Sequence, residues 1–347
     1  MAADALKYQP PGLLRNGHLQ TLLGSVWPVC WLIRRRAARL RSRAQELLLE
    51  CGDEVRLQAF LSRAADAADA ADGAGDAAVR RVAILLHGWE GSAEASYVLS
   101  LGSLLLESGF DVVRLNLRDH GATHHLNREI FHSCRLPEVV GATRALAQRF
   151  PGARLYLAGF SLGGNFMLRV AADARLPAAI AGVVAVSPVL DPEVTLAALE
   201  RGPAIYRRSF LRRWSRSLRR KQSAWPGVHD FGPMLRLGQL RAMTAGLVAR
   251  CTDFPSLAAY LDGYAVTGDR LAMLRVPSSV LLADDDPIVP AADLQRLAAS
   301  SQLTVVRSRY GGHCGFGAGV ARPSMADRFV LEQFERFERA AGAAVKR

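Results

Sequence analysis

Gly159-Phe160-Ser161-Leu162-Gly163-Gly164-Asn165 is the stretch on which the reading of this chain turns. Before it, Arg154-Leu155-Tyr156-Leu157-Ala158 is a short apolar run of strand character. After it, Phe166-Met167-Leu168-Arg169-Val170-Ala171-Ala172 reads as a helix with no breaker. A G-x-S-x-G sequence wedged between a strand and a helix is a nucleophile elbow. The turn is so sharp that the residues flanking the serine must be nearly free of side chain, which accounts for Gly159, Gly163 and Gly164. It forces Ser161 into a strained backbone conformation with its hydroxyl exposed. The first amides of the helix then point at whatever oxyanion forms on a substrate.

Such an elbow requires an acid and then a histidine later in the chain, each in a loop just past a strand. Ser279-Val280-Leu281-Leu282-Ala283 is a buried-strand run that ends in Asp284-Asp285-Asp286-Pro287-Ile288-Val289-Pro290. Leu303-Thr304-Val305-Val306-Arg307 is the next strand, and it leads into Tyr310-Gly311-Gly312-His313-Cys314-Gly315-Phe316. His313 is therefore expected to be the general base. Of the three aspartates, Asp286 is expected to orient it. Pro287 pushes its predecessor into an extended conformation, which suits a carboxylate projecting across the strand ends. Asp284 and Asp285 are left as solvated carboxylates or acceptors for loop amides.

A second oxyanion donor should follow an earlier central strand. Arg81-Val82-Ala83-Ile84-Leu85-Leu86 is that strand, and His87-Gly88-Trp89-Glu90-Gly91 follows it. The backbone N–H of Trp89 is expected to act with that of Leu162, while His87 holds the loop.

With these pieces assembled, the chain resembles an α/β-hydrolase, and more narrowly the YheT-like branch. That branch includes plant embryogenesis-associated proteins, animal abhydrolase-domain lipases and yeast medium-chain acyl transferases. The narrower resemblance rests on Asn16-Gly17-His18-Leu19-Gln20-Thr21, Asn116-Leu117-Arg118-Asp119-His120-Gly121, Phe131-His132-Ser133 and the loop around His313. It spans nearly the whole chain. It implies Ser161, Asp286 and His313 as a catalytic triad in an esterase or lipase acting on acyl esters, with no cofactor. Residues 190–270, the expected lid, match the resemblance least.

Half of the 347 residues are hydrophobic, enough to bury a large core. Strands alternate with helical stretches from Val82 onward, which predicts a mostly parallel sheet with helices on both faces. The expected organisation is an N-terminal segment over 1–45 packed on the body, a hydrolase core over 46–189 and 271–347, and a cap insertion over 190–270. Glu46-Leu47-Leu48-Leu49-Glu50 and Val55-Arg56-Leu57-Gln58-Ala59-Phe60 read as an antiparallel hairpin at the sheet edge. Residues 64–78, almost all Ala, Asp and Gly, read as a surface loop.

The net charge of +12 is local rather than spread, which argues against nucleic acid as a partner. Residues 34–43 hold six arginines, and residues 207–221 hold seven together with Lys221. The rest of the chain carries a net −2. The second run also places Tyr206, Phe210, Leu211, Trp214 and Leu218 at helical spacing. This pattern fits an interfacial helix that seeks anionic lipid. It also fits, and compatibly, a lid whose apolar face, with Trp214 and Phe210, covers the site while its arginines are merely solvated. The stretch Val26-Trp27-Pro28-Val29-Cys30-Trp31-Leu32-Ile33 is too short to span a bilayer, and no signal peptide precedes it. Five scattered cysteines without a CxxC suggest no disulfide framework and a cytoplasmic setting, with peripheral membrane contact left open. His120, His124, His125, His132 and Cys134 match no zinc spacing, so they are read as structural and no metal is expected.

Two further readings stay open beside the esterase. One is an acyltransferase, in which an alcohol replaces water in the second step. The other is a non-catalytic hydrolase-like protein at membranes, against which the intact Ser161, Asp286 and His313 speak.

Overall fold

The computed structural model describes residues 4–5, 8–64, 79–319 and 322–345. Among these residues nine strands form one sheet. They are β1 (Asp4–Ala5), β2 (Gln45–Glu50), β3 (Arg56–Ser62), β4 (Arg81–Leu86), β5 (Asp111–Leu115), β6 (Arg154–Phe160), β7 (Ile180–Val186), β8 (Ser278–Ala283) and β9 (Leu303–Ser308). Their order across the sheet is β1-β9-β8-β7-β6-β4-β5-β3-β2. Pairing is parallel except around β3, which runs antiparallel to both β2 and β5. The central strands are runs of Val, Ile, Leu and Ala because both faces of the sheet are covered.

Three helices, α1 (Gly17–Leu23), α2 (Trp27–Arg36) and α3 (Ala38–Ser42), precede the edge hairpin of β2 and β3. Helix α4 (Ser96–Glu107) follows β4, α5 (Leu136–Arg149) follows β5, and α6 (Leu162–Ala172) follows β6. Between β7 and β8 the chain makes five helices: α7 (Pro192–Arg201), α8 (Ala204–Ala224), α9 (Gly232–Leu235), α10 (Leu240–Cys251) and α11 (Leu257–Asp262). Helix α12 (Met325–Val345) closes the described chain.

Two cores result. On one face Val98, Leu99 and Leu101 of α4 pack with Phe329 and Val330 of α12. On the other, Val139 and Leu146 of α5 join Phe166 and Leu168 of α6 and residues of the β7–β8 insertion. Strands β4 and β6 are neighbours, with Leu85 opposite Ala158. Yet β4 leads into a helix on one face and β6 into a helix on the other. The crevice between the two departing loops is a topological switch point, where open α/β sheets bind their ligands.

The expected mixed sheet and edge hairpin are both present. Helix α6 starts at Leu162, a turn before the run that predicted it. The loop read over 64–78 lies outside the described residues beyond Ala64. Strand β1, only two residues long, joins the sheet by pairing with β9 and carries no pattern that the sequence could have shown.

Candidate active site

Ser161 stands between β6 and α6 with φ 54° and ψ −120°, in the left-handed half of backbone space that a non-glycine residue rarely occupies. The surroundings fix this strain. A Cβ on Gly163 would lie 2.4 Å from the His87 carbonyl oxygen and 2.5 Å from that of Leu86, so the first turn of α6 seats directly on the end of β4. Asn165, the last residue of the elbow motif, is fully buried. Its amide donates to the carbonyls of Val189 and Tyr264, tying α6 to both ends of the helical insertion.

The Ser161 hydroxyl meets His313 Nε2 at 2.9 Å, and His313 Nδ1 meets Asp286 Oδ2 at 2.9 Å. The three aspartates after β8 divide as their surroundings dictate. Asp286 is buried, and its Oδ1 accepts the N–H groups of Ile288 and Val289, which holds the carboxylate toward the histidine. Asp285 accepts the N–H of Gly312 at 2.8 Å. Asp284 is exposed and pairs with Arg307 at 2.7 Å. Burial disfavours the charged form of His313, but the Asp286 carboxylate outweighs it and holds the imidazole well above its ordinary pKa.

The amides of Trp89 and Leu162 donate to no other group among the described residues. Gly88 packs its α-carbon against Ser161, since a Cβ there would fall 3.0 Å from that of the serine. The loop carrying Trp89 is pinned on each side. Tyr97 Oη accepts the N–H of Gly88 at 3.1 Å, and His120 Nε2 accepts that of Glu90 at 3.1 Å. His87 is fully buried. It donates from Nδ1 to the Gly88 carbonyl, accepts the Leu117 N–H at Nε2, and is kept neutral by burial with its pKa pushed down to about 4. Burial pushes His120 down to about 3. Its Nδ1 donates to the Arg118 carbonyl, which leaves Nε2 free to accept. The second histidine was not assigned to this loop from sequence.

Helix α8 covers that loop. Phe210 stacks on Trp89 at 5.2 Å between ring centres, and Trp214 meets the same indole edge-on at 5.3 Å. Together with Ser161 and Leu162 these rings line an apolar cavity of about 90 Å³. A wider cleft of about 1120 Å³ also opens on Ser161 and His313. One basic residue departs from the reading of α8 as a uniformly basic surface. Lys221 turns inward, is buried, and bonds Asp119 Oδ1 at 2.8 Å and the Asn127 carbonyl at 2.5 Å. Its position two helical turns past Trp214 and one past Leu218 places it on the buried stripe.

The segment Asn16-Gly17-His18-Leu19-Gln20-Thr21 braces the histidine loop. Gly17 lies so close to Asp285 that a Cβ would come 2.1 Å from its carbonyl oxygen. Thr21 Oγ1 accepts the His313 N–H, and Gln20 Oε1 accepts that of Gly317 at 2.8 Å. His18 bonds Tyr206 of α8 at 2.9 Å.

A serine on a strained strand-to-helix turn, met by a histidine delivered from the far side of the same sheet, is what an α/β-hydrolase fold provides. The chain belongs to the α/β hydrolase fold family, which it matches over residues 82–319. It is 26% identical over 340 residues to YheT of Escherichia coli (strain K12), a protein named as a candidate esterase, with 93% of this chain and 91% of that one covered. It is 23% identical to the embryogenesis-associated protein EMB8 of Picea glauca, covering 93% and 71%. Among solved structures it is similar to the Pyrococcus furiosus esterase Pf2001, with a TM-score of 0.54 at 14% identity over 84% of this chain and 92% of that one.

Proposed function

We propose that the protein hydrolyses carboxylic acyl esters through a covalent acyl-enzyme. The observation that carries the proposal is the continuous chain from Ser161 Oγ through His313 to Asp286, at 2.9 Å on each side, beside two uncommitted amides. Ser161 attacks the ester carbonyl while His313 Nε2 takes its proton. Asp286 fixes the Nδ1–H tautomer and stabilises the imidazolium that forms. The Trp89 and Leu162 amides receive the tetrahedral oxyanion, and one such donor is typically worth about 3–4 kcal/mol. His313 returns the proton to the departing alcohol, and water then repeats the attack on the acyl-enzyme. The acyl chain occupies the aromatic cavity under α8.

The same reading extends to peripheral contact with an anionic membrane. Trp27 is 76% exposed and Trp31 48%, both on α2 beside exposed Arg34 and Arg35. Among the described residues no helix is long and apolar enough to cross a membrane.

A panel of p-nitrophenyl esters of increasing chain length, run on wild type and Ser161→Ala, tests the chemistry. More than a few per cent of wild-type activity retained by folded Ser161→Ala would remove the nucleophile assignment. Product analysis with added alcohol separates hydrolysis from acyl transfer.

A further inference from the structure

The wide cleft has two unlike walls. One is apolar, built by Leu22, Leu23, Val29 and Ile33 of α1 and α2. The other is one face of α8, from which Arg208, Arg212, Arg213, Arg216 and Arg220 line the cavity. The spacing puts all five on a single flank of the helix. They are exposed, and none is ion-paired among the described residues. Three acids share the lining. Asp119 is committed to Lys221 and to the Phe131 N–H, and Asp327 to Ser100 and Ser324. Of the three, Glu90 alone has no side-chain hydrogen-bond or ion-pair partner among the described residues, and it sits next to Trp89 where it feels the charges of Arg213 and Arg220. Burial pushes its pKa up to about 8, which leaves the arginine wall largely uncompensated near neutral pH.

A cleft lined by one sign of charge concentrates counter-charged ligands. Guanidinium forks suit phosphate oxygens better than any other side chain. Several arginines outside the cleft, among them Arg41, Arg80, Arg114, Arg118, Arg241 and Arg296, pair with acids instead.

We infer that the substrate carries a phosphate on the alcohol side of its ester, held by Arg213 and Arg220 with Arg216 beside them. This rests on the proposed acyl-ester reading. With the acyl chain in the aromatic cavity, the alcohol leaves toward the open cleft and so toward the arginines.

The test compares butyrylglycerol with butyrylglycerol 3-phosphate, which share the scissile ester and differ in the anion. Wild type should favour the phosphate-bearing ester by about tenfold or more in kcat/KM, chiefly through KM. Arg213→Gln/Arg220→Gln should bring the ratio near one, whereas Arg219→Gln, outside the cleft lining, should leave it as in wild type. A parallel arm offers dodecanoylglycerol 3-phosphate in phosphatidylcholine vesicles. A preference that appears only there would belong to the lipid surface and would overturn the site. So would equal rates for the two soluble esters, or a preference retained by the double variant. Calorimetry of glycerol 3-phosphate binding to Ser161→Ala reads the arginines without turnover. Binding without hydrolysis of any ester would sink the ester reading and keep the site, and absence of binding would sink the site.

Discussion

Thr21 and His313 are joined by a 2.8 Å hydrogen bond in which the threonine hydroxyl accepts the histidine's backbone N–H, across 292 positions of sequence. The same hydroxyl donates to the Gly17 carbonyl at 2.7 Å, so its direction is set by its own helix. An N-terminal helix thereby fixes the height of the imidazole over Ser161. Thr21→Val keeps the shape and removes the acceptor. Misplacement of a catalytic group by even 1 Å can cost about 10²-fold, so kcat should fall about tenfold or more with KM nearly unchanged, and Thr21→Ser should restore it. A Thr21→Val variant with wild-type kcat would leave Thr21 a packing residue only.

The pH profile tests the Asp286–His313 contact. His313 must be neutral to accept the serine proton, and its pKa is held well above the ordinary 6.5. The neutral fraction, and so kcat/KM, should fall as pH drops through that raised value, with activity still climbing past pH ~7. Asp286→Asn removes the charge that raises it. The acid limb should then move downward while the plateau drops by about 10⁴. Initial rates from pH ~5 to ~9 decide it, and an acid limb unmoved by Asp286→Asn would count against the assignment.

Lys221 and Asp119 form a buried pair in which burial pushes the lysine pKa down and the aspartate pKa up. Removing one member strands the other. Lys221→Met should lose about 3–5 kcal/mol of stability, and the double variant Lys221→Met/Asp119→Asn should recover a substantial part of it. Urea denaturation of the two variants reads both values. Equal loss in single and double would mean that the cost lies in packing rather than in the uncompensated charge.

Much of this was legible in the sequence because the elements concerned are local. The elbow, the strand before each functional loop and the edge hairpin each declare themselves within about ten residues, through glycine spacing and apolar runs. Asp286, singled out because Pro287 directly follows it, is the aspartate that meets His313 Nδ1 at 2.9 Å. The support was not legible. Thr21, Gln20 and His120 accept from backbone amides 30 to 297 positions away, and Tyr97 from one nine positions away, and no periodicity records such a bond. The inward turn of Lys221 was hidden because a run of basic residues reads as one solvated face, although the stripe through Trp214 and Leu218 includes position 221.

The membrane contact is the reading with the most exposed residues behind it. Leu13, Trp27 and Trp31 project from the N-terminal segment, at 84%, 76% and 48% exposure, and the Arg35 guanidinium lies 5.5 Å from the Trp31 ring centre. Indole rings flanked by arginines suit the headgroup layer, where the ring is buried and the cation meets anionic lipid. Each basic residue at such a surface is worth about 1 kcal/mol and is screened within a Debye length. Sedimentation with vesicles should show binding to phosphatidylserine-containing bilayers that weakens steeply with salt, and weak binding to pure phosphatidylcholine. Arg34→Gln/Arg35→Gln should abolish the salt dependence, while Trp27→Ala/Trp31→Ala should lower binding to both. Hydrolysis of a soluble short-chain ester should be unaffected by either pair, because none of the four lines the cleft that opens on Ser161. Negligible binding of the wild type to both vesicle types would rule out the membrane contact and leave α2 an exposed helix on the body of the enzyme.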